Sequence, residues 1–206
     1  MDTVSTYMAF ITGTFVLAIV GNIVGNSLAW MCLAREQATT ALSSAEVATL
    51  IYLREEGKLA RDIFVSMYRN WGSETFSNSA FSKQIHMDAM KEMLDAYKLP
   101  DPIQSHAGVF INPDLKARYD QLLTSGLRSY IDSLYVGATI EENNSLTIRG
   151  AIKESTHTDL TKSYRALLDE SKKNLDVYIK LLASKGVGYT PRFVSPAMTY
   201  GVHSSL

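Results

Sequence analysis

Apolar and polar residues follow two different patterns along the chain. Between Asp2 and Arg35 there is no Asp, Glu, Lys, Arg or His, and residues 8–34 form one continuous membrane-length apolar run. As a helix rising about 1.5 Å per residue, that run would reach roughly 40 Å, more than the ~30 Å hydrocarbon core of a bilayer. From Ser43 onward the pattern becomes periodic. Ser43 stands three residues before Glu46, a capping-box start, and Val47, Leu50, Ile51, Leu59, Ile63 and Met67 follow at helical spacing. This predicts a helix ending near Asn70-Trp71-Gly72.

A second helix is expected over 78–97, burying Phe81, Ile85, Met90, Met93, Leu94 and Tyr97. The prolines and glycine of KLPDPIQSHAGVFINPD then interrupt any helix, so 98–112 forms a long connection able to cross a bundle. Asn112 before Pro113 starts a further helix that stops at Gly126. The next helix is expected over 127–142, then a break at ENNS and a short helical turn at 146–154. The last helix covers 159–184, with Leu160, Tyr164, Leu167, Leu168, Leu175, Tyr178, Ile179 and Leu182 on its inner face and Lys185-Gly186 as its stop. The tail 187–206, with two prolines, reads as an extended strap. The fold class is therefore all-α, an antiparallel bundle over 43–186 preceded by a hydrophobic N-terminal helix over 1–36.

For the N-terminal segment three roles compete: a retained transmembrane anchor, an export signal, and a helix buried in a protein assembly. MDTVSTY lacks the basic residues of a signal peptide. In GNIVGN, Gly21 and Gly25 with Asn22 and Asn26 make a stripe that is small and able to hydrogen-bond, suited to other transmembrane helices or to copies of the same chain. Arg35 alone, by the positive-inside rule, would put the bundle in the cytoplasm.

Charge and cysteine content narrow the function classes. Lys plus Arg number 20 and Asp plus Glu 21; the segment before Arg35 holds one acid and no base, so the remainder carries 20 of each. No basic block offers a footprint for nucleic acid. Cys32 is the sole cysteine, so neither an internal disulfide nor a cysteine-based metal cluster can form. The histidines at 86, 106, 157 and 203 lack i, i+4 spacing, and no nucleophile motif surrounds Ser195 or Ser204-Ser205.

Four runs, LREEGKLARDIFVSMYRNWG, FSNSAFSKQIHMDAMKEMLDAYKLPDP, GVFINPDLKARYDQLLTSG and VGATIEENN, resemble in that order the ferritin-like family catalogued as domain of unknown function 2202, over about residues 44–195. The resemblance implies a ferritin-like four-helix bundle with a crossover between its second and third main helices, and an extracytoplasmic domain. It also implies a two-metal site with a glutamate on the first and third helices and Glu-x-x-His on the second and fourth. Counting back from Ala60 and Phe64, the first-helix ligand position falls on Gly57; Glu55 and Glu56 are rotated from it by about 200° and 100°.

On the second helix Lys83 stands where the glutamate belongs, with His86 kept; Glu141 and Glu142 match the third-helix pair; on the fourth helix Lys173-Asn174 replaces Asn-His. Residual metal candidates are His86, Glu141, Glu142, Glu55 and Glu56, enough for one iron or manganese ion at most, and the expectation is no cofactor. Lys83, His86 and Asn174 with Glu141 or Glu142 are instead expected to form a structural polar cluster. The leading expectation is a non-enzymatic, membrane-tethered structural or accessory subunit. A metal-dependent oxidase or iron-handling protein, and a filament or pilin-like subunit with the apolar helix in the fibre core, are the alternatives.

Overall fold

The computed structural model describes residues 41–191. The apolar run 8–34, the stripe Gly21, Asn22, Gly25 and Asn26, Cys32 and most of the tail 187–206 lie outside the described residues. Among the described residues, five α-helices account for the regular structure: α1 (Ser44–Trp71), α2 (Glu74–Ala96), α3 (Pro113–Gly126), α4 (Tyr130–Glu154) and α5 (Thr158–Ser184). None of these helices is long and apolar enough to cross a membrane.

The boundaries follow from local chemistry. Ser43 Oγ accepts from Glu46 N at 3.2 Å while the Glu46 carboxylate accepts from Ser43 N at 3.0 Å, closing the capping box of α1. Gly72, at φ +65°, ends α1 in a left-handed turn so tight that α2 begins at Glu74, four residues before the expected 78. Asn112 Oδ1 accepts from Asp114 N and Leu115 N, with Pro113 at the first turn of α3.

The expected break at ENNS does not occur. α4 continues through Asn143, Asn144 and Ser145: Ser145 Oγ donates to Glu141 O at 2.9 Å, and Asn144 turns inward.

Contacts between helix ends fix the topology. Glu46 near the start of α1 reaches Thr156 and His157 at the end of α4, while Trp71 at the end of α1 donates to Gly126 O just before α4 begins. Hence α1 and α4 are antiparallel. Phe76 meets Tyr130, both at helix starts, so α2 and α4 run parallel; Tyr97 donates to Asp159, so α2 and α5 are antiparallel. Two antiparallel hairpins, α1/α2 and α4/α5, thus pack side by side, and the 97–129 connection carries the chain the full length of the bundle.

The interior splits into two apolar clusters. One gathers Leu59, Ile63, Phe64, Met67, Phe76, Leu134, Ile140 and Tyr178, and the other Leu50, Leu53, Met90, Leu94, Ile148, Leu160 and Tyr164. The segments joining them along each helix, around 54–58, 83–87, 141–145 and 171–174, hold most of the buried polar residues. A polar layer therefore lies between two dry halves.

On α2 the inward stripe is Phe76, Ser79, Ala80, Lys83, His86, Met87, Met90 and Leu94. Phe81 and Ile85, expected in the core, are 69 % and 54 % exposed. Each lies on the opposite side of the cylinder from the stripe, whose centre is occupied by a lysine and a histidine rather than by aliphatic residues.

Candidate functional site

In the polar layer, Lys83 from α2 and Glu141 from α4 form an ion pair at 2.5 Å, with side chains 1 % and 0 % exposed. The ammonium has two further partners. Ser171 Oγ on α5 lies at 3.4 Å, and the orientation of the Asn144 amide that satisfies both its ends puts its oxygen 2.8 Å from Nζ and its NH2 3.3 Å from Ile140 O. Three acceptors thus meet three N–H bonds. The second Glu141 oxygen accepts from Asn174 Nδ2 at 3.4 Å, and Asn174 also donates to Ser82 Oγ at 3.1 Å. Burial pushes the Glu141 carboxyl up, and the attraction and hydrogen bond of Lys83 offset only part of that.

His86 does not join this cluster. It is one turn from Lys83, 3 % exposed, and its Nε2 is buried without a hydrogen-bond partner. Burial, then the positive charges of Lys83 and Arg54, pull its imidazole down to about 3, so it is neutral. Its ring lies against Gly57: a Cβ at that glycine would stand 3.0 Å from Met87 Cγ and 3.4 Å from His86 Cδ2.

The remaining acidic candidates are engaged elsewhere. Glu55 accepts from Ile111 N and Asn112 N at 2.7 and 3.2 Å. Glu56 pairs with Arg118 at 2.9 Å, burial raising its carboxyl against the pull of that guanidinium. Glu142 accepts from Tyr189 Oη at 2.7 Å. Adjacent residues are about 100° apart on a helix, so Glu141 and Glu142 diverge. Among the described residues, no group of three or more His, Cys, Asp or Glu side chains converges as metal ligands would.

Sequence reasoning missed two sets of residues. Asn144 and Ser171 complete the lysine's coordination, each three residues from a recognised position (Glu141 and Asn174), a spacing that puts both on the layer's side of their helices. The second set lies on α1. Arg54 grips Asp101 through two hydrogen bonds at 3.1 and 2.8 Å and donates to Met87 O at 2.6 Å; Lys58 donates to Asp62 at 2.6 Å and His106 O at 2.8 Å; Asp62 accepts from Gly108 N at 3.1 Å. With Glu55 and Glu56, these residues hold the crossover along α1. Beside the layer, an open groove of about 410 Å³ between α2 and α5 is lined by Phe81, Ile85, Val177, Ser82 and Asn174.

Residues 46–203 match the family described as an uncharacterized protein domain, DUF2202. The chain belongs to this family. As a DUF2202 member it is similar to the uncharacterized protein MJ0754 of Methanocaldococcus jannaschii, at 37 % identity over 155 residues that cover 75 % of this chain and 84 % of the relative. Its structure is similar to the crystal structure of hypothetical protein MJ0754 from Methanococcus jannaschii DSM 2661, with a TM-score of 0.74, 36 % identity, and coverage of 76 % of this chain and 90 % of that one. The match spans the bundle and all four polar-layer segments of this DUF2202 chain, and begins after the apolar run 8–34.

Proposed function

We propose that the chain is a ferritin-like bundle whose interior is held by a lysine ammonium in place of two metal ions, and that it serves as a non-enzymatic structural or accessory subunit tethered to a membrane by residues 8–34. The observation that carries this reading is the Lys83 ammonium, enclosed by Glu141, Asn144 and Ser171 at the level where the helices would present ligands. The Lys83 side chain there occupies the Glu141 carboxylate, which a metal ion would need.

The residues present do not fit a two-metal centre. Gly57 supplies no side-chain ligand, and a Cβ there would press against Met87 Cγ at 3.0 Å and His86 Cδ2 at 3.4 Å. Asn174 and Ser171 present neutral groups on α5. A single iron or manganese ion on His86 would need Glu141 to leave Lys83, and Glu55 or Glu56 to abandon the crossover. The ferritin-like architecture is supported by the parallel α2 and α4 and by the crossover that joins them, the arrangement expected where one long connection links two antiparallel hairpins. The tether rests on the uncharged apolar run alone.

Metal analysis of the full chain, purified in mild detergent and incubated with Fe(II) or Mn(II), tests this reading. The expected result is no stoichiometric metal, in the wild-type protein and in His86→Ala alike. Lys83→Glu by itself is expected to restore none, since Gly57 and Asn174 still lack donors. Stoichiometric metal that disappears in His86→Ala would overturn it.

A further inference from the structure

The polar layer holds an amine within hydrogen-bond distance of both a carboxyl group and a primary amide, on two helices, between two apolar clusters. We propose that Lys83 and Asn144 become joined by an isopeptide bond across the bundle interior, with Glu141 as the proton carrier. Nζ of Lys83 is 2.5 Å from the Glu141 carboxylate and 2.8 Å from the Asn144 amide oxygen, and the three side chains are 1 %, 0 % and 1 % exposed. This inference rests on the reading that a lysine rather than a metal fills the layer.

Each part of the reaction has a group in place. An ammonium is no nucleophile until it loses a proton, and the Glu141 carboxylate, 2.5 Å from Nζ, is placed to take it. Glu141 therefore takes a proton from Nζ; the same burial that raises its carboxyl makes it a competent acceptor and, afterwards, a competent donor. The freed lone pair forms the Nζ–Cγ bond to Asn144, and the carbonyl electrons move onto Oδ1. On collapse the Cγ–Nδ2 bond breaks with its electron pair leaving on nitrogen. Two protons leave Nζ during the sequence, both through Glu141, and both end on the departing nitrogen, so one ammonium is consumed and one ammonium ion is released.

No oxidant, metal or external base takes part. The Asn144 oxygen faces Nζ and its NH2 faces Ile140 O, so the amide is held in one orientation before attack, while Ser171 and Asn174 hold the lysine and the carboxylate. Holding the reactants together in this way replaces a bimolecular aminolysis by an intramolecular one, where effective concentrations are very large.

The bond would tie α2 to α4, which face each other across the bundle and belong to different hairpins. The two hairpins then could not separate under load or heat, a property suited to a structural subunit.

Mass spectrometry of the full chain tests the cross-link. The intact protein is expected to be about 17 Da lighter than its sequence, the mass of one ammonia. After trypsin, segment 70–91 should remain uncut behind Lys83 and be linked to segment 129–149. Glu141→Gln and Lys83→Arg should each return the full mass and separate linear peptides. Because those variants remove a buried pair, the wild-type peptides alone are decisive: a linear peptide ending at Lys83 together with an unmodified 129–149 would overturn the cross-link. Metal content measured on the same sample separates the two readings. Unlinked, metal-free protein defeats the cross-link only, whereas unlinked protein with stoichiometric metal defeats both.

Discussion

Replacing His86 by leucine tests whether the polar layer contains a histidine held neutral by its surroundings. Burial and the nearby Lys83 and Arg54 hold the imidazole at about 3 in the fold, against an ordinary value near 6.5 in the unfolded chain. A depressed histidine favours the unfolded state as soon as that state can take a proton. Stability is thus lost as the pH falls through about 6.5, and the loss continues until the folded form also protonates near 3.

At about pH 5 the unfolded imidazole is some thirtyfold protonated over neutral while the buried one is almost entirely neutral, which corresponds to about 2 kcal/mol of lost stability relative to pH 8. His86→Leu removes that linkage. It also removes the unpartnered Nε2 and puts an apolar group of similar volume against Met87 and Gly57, so at pH 8 the variant should match or exceed the wild type by up to about 1 kcal/mol. The assay is urea unfolding of the full chain in mild detergent, followed through the near-ultraviolet circular dichroism of buried Tyr164 and Tyr178. Glu46, whose carboxyl is held low by hydrogen bonds from His157, Thr156 and Ser43 despite its burial, adds an acid-sensitive contribution that is common to both proteins and cancels in the difference. Parallel loss of stability by the two proteins between about pH 8 and 5 would refute the reasoning.

Two glycines of α4 predict opposite outcomes for the same substitution. A Cβ at Gly137 would fall within 2.7 Å of Tyr178 Cδ1, so Gly137→Ala should lose about 1–3 kcal/mol in the same unfolding assay. Gly150 has nothing within 4 Å, and Gly150→Ala should gain about 0.5–1 kcal/mol by helix propensity; a loss there would contradict the unbroken α4. Arg54→Lys cannot reproduce the two-pronged grip on Asp101 together with the bond to Met87 O. It should cost about 1–3 kcal/mol and speed amide exchange across 101–112, and unchanged exchange there would show that the crossover is held by other contacts.

Helix ends were legible in the sequence where a local rule sets them. Ser43 with Glu46, Asn112 with Pro113, and Gly186 at φ +73° each act within a few residues of the boundary they mark. Two features were not legible. ENNS has turn propensity, and its side chains fit a continuing α4 through bonds back to Ile140 O and Glu141 O and through the contact of Asn144 with Lys83 on another helix. The inner face of α2 was misplaced by apolar periodicity, because a stripe whose centre is Lys83 and His86 is outvoted by Phe81 and Ile85 on the opposite side. Lys83 and Glu141 could be singled out from the resemblance, but Asn144 and Ser171 depend on which faces of α4 and α5 meet, and the sequence of either helix alone does not contain that.

The run LREEGKLARD shows why a motif can survive inspection as metal chemistry and still do another task. Its charged residues at 54, 55, 58 and 62 are each 7 % exposed or less, in a segment of the fold where ionised groups need partners to be tolerated. Those partners come from 101–112: Asp101 for Arg54, the amides of Ile111 and Asn112 for Glu55, the His106 carbonyl for Lys58, and the Gly108 amide for Asp62. The connection seats Leu99 and Phe110 against the two apolar clusters, and its free backbone groups supply the polar partners. Detaching it would strand several buried charges at once, so the crossover and α1 are expected to open together with the bundle rather than before it. The charged face of α1 thus serves the topology: it fastens the long connection that makes α2 and α4 parallel, and the interior layer is left to Lys83, Glu141, Asn144 and Ser171.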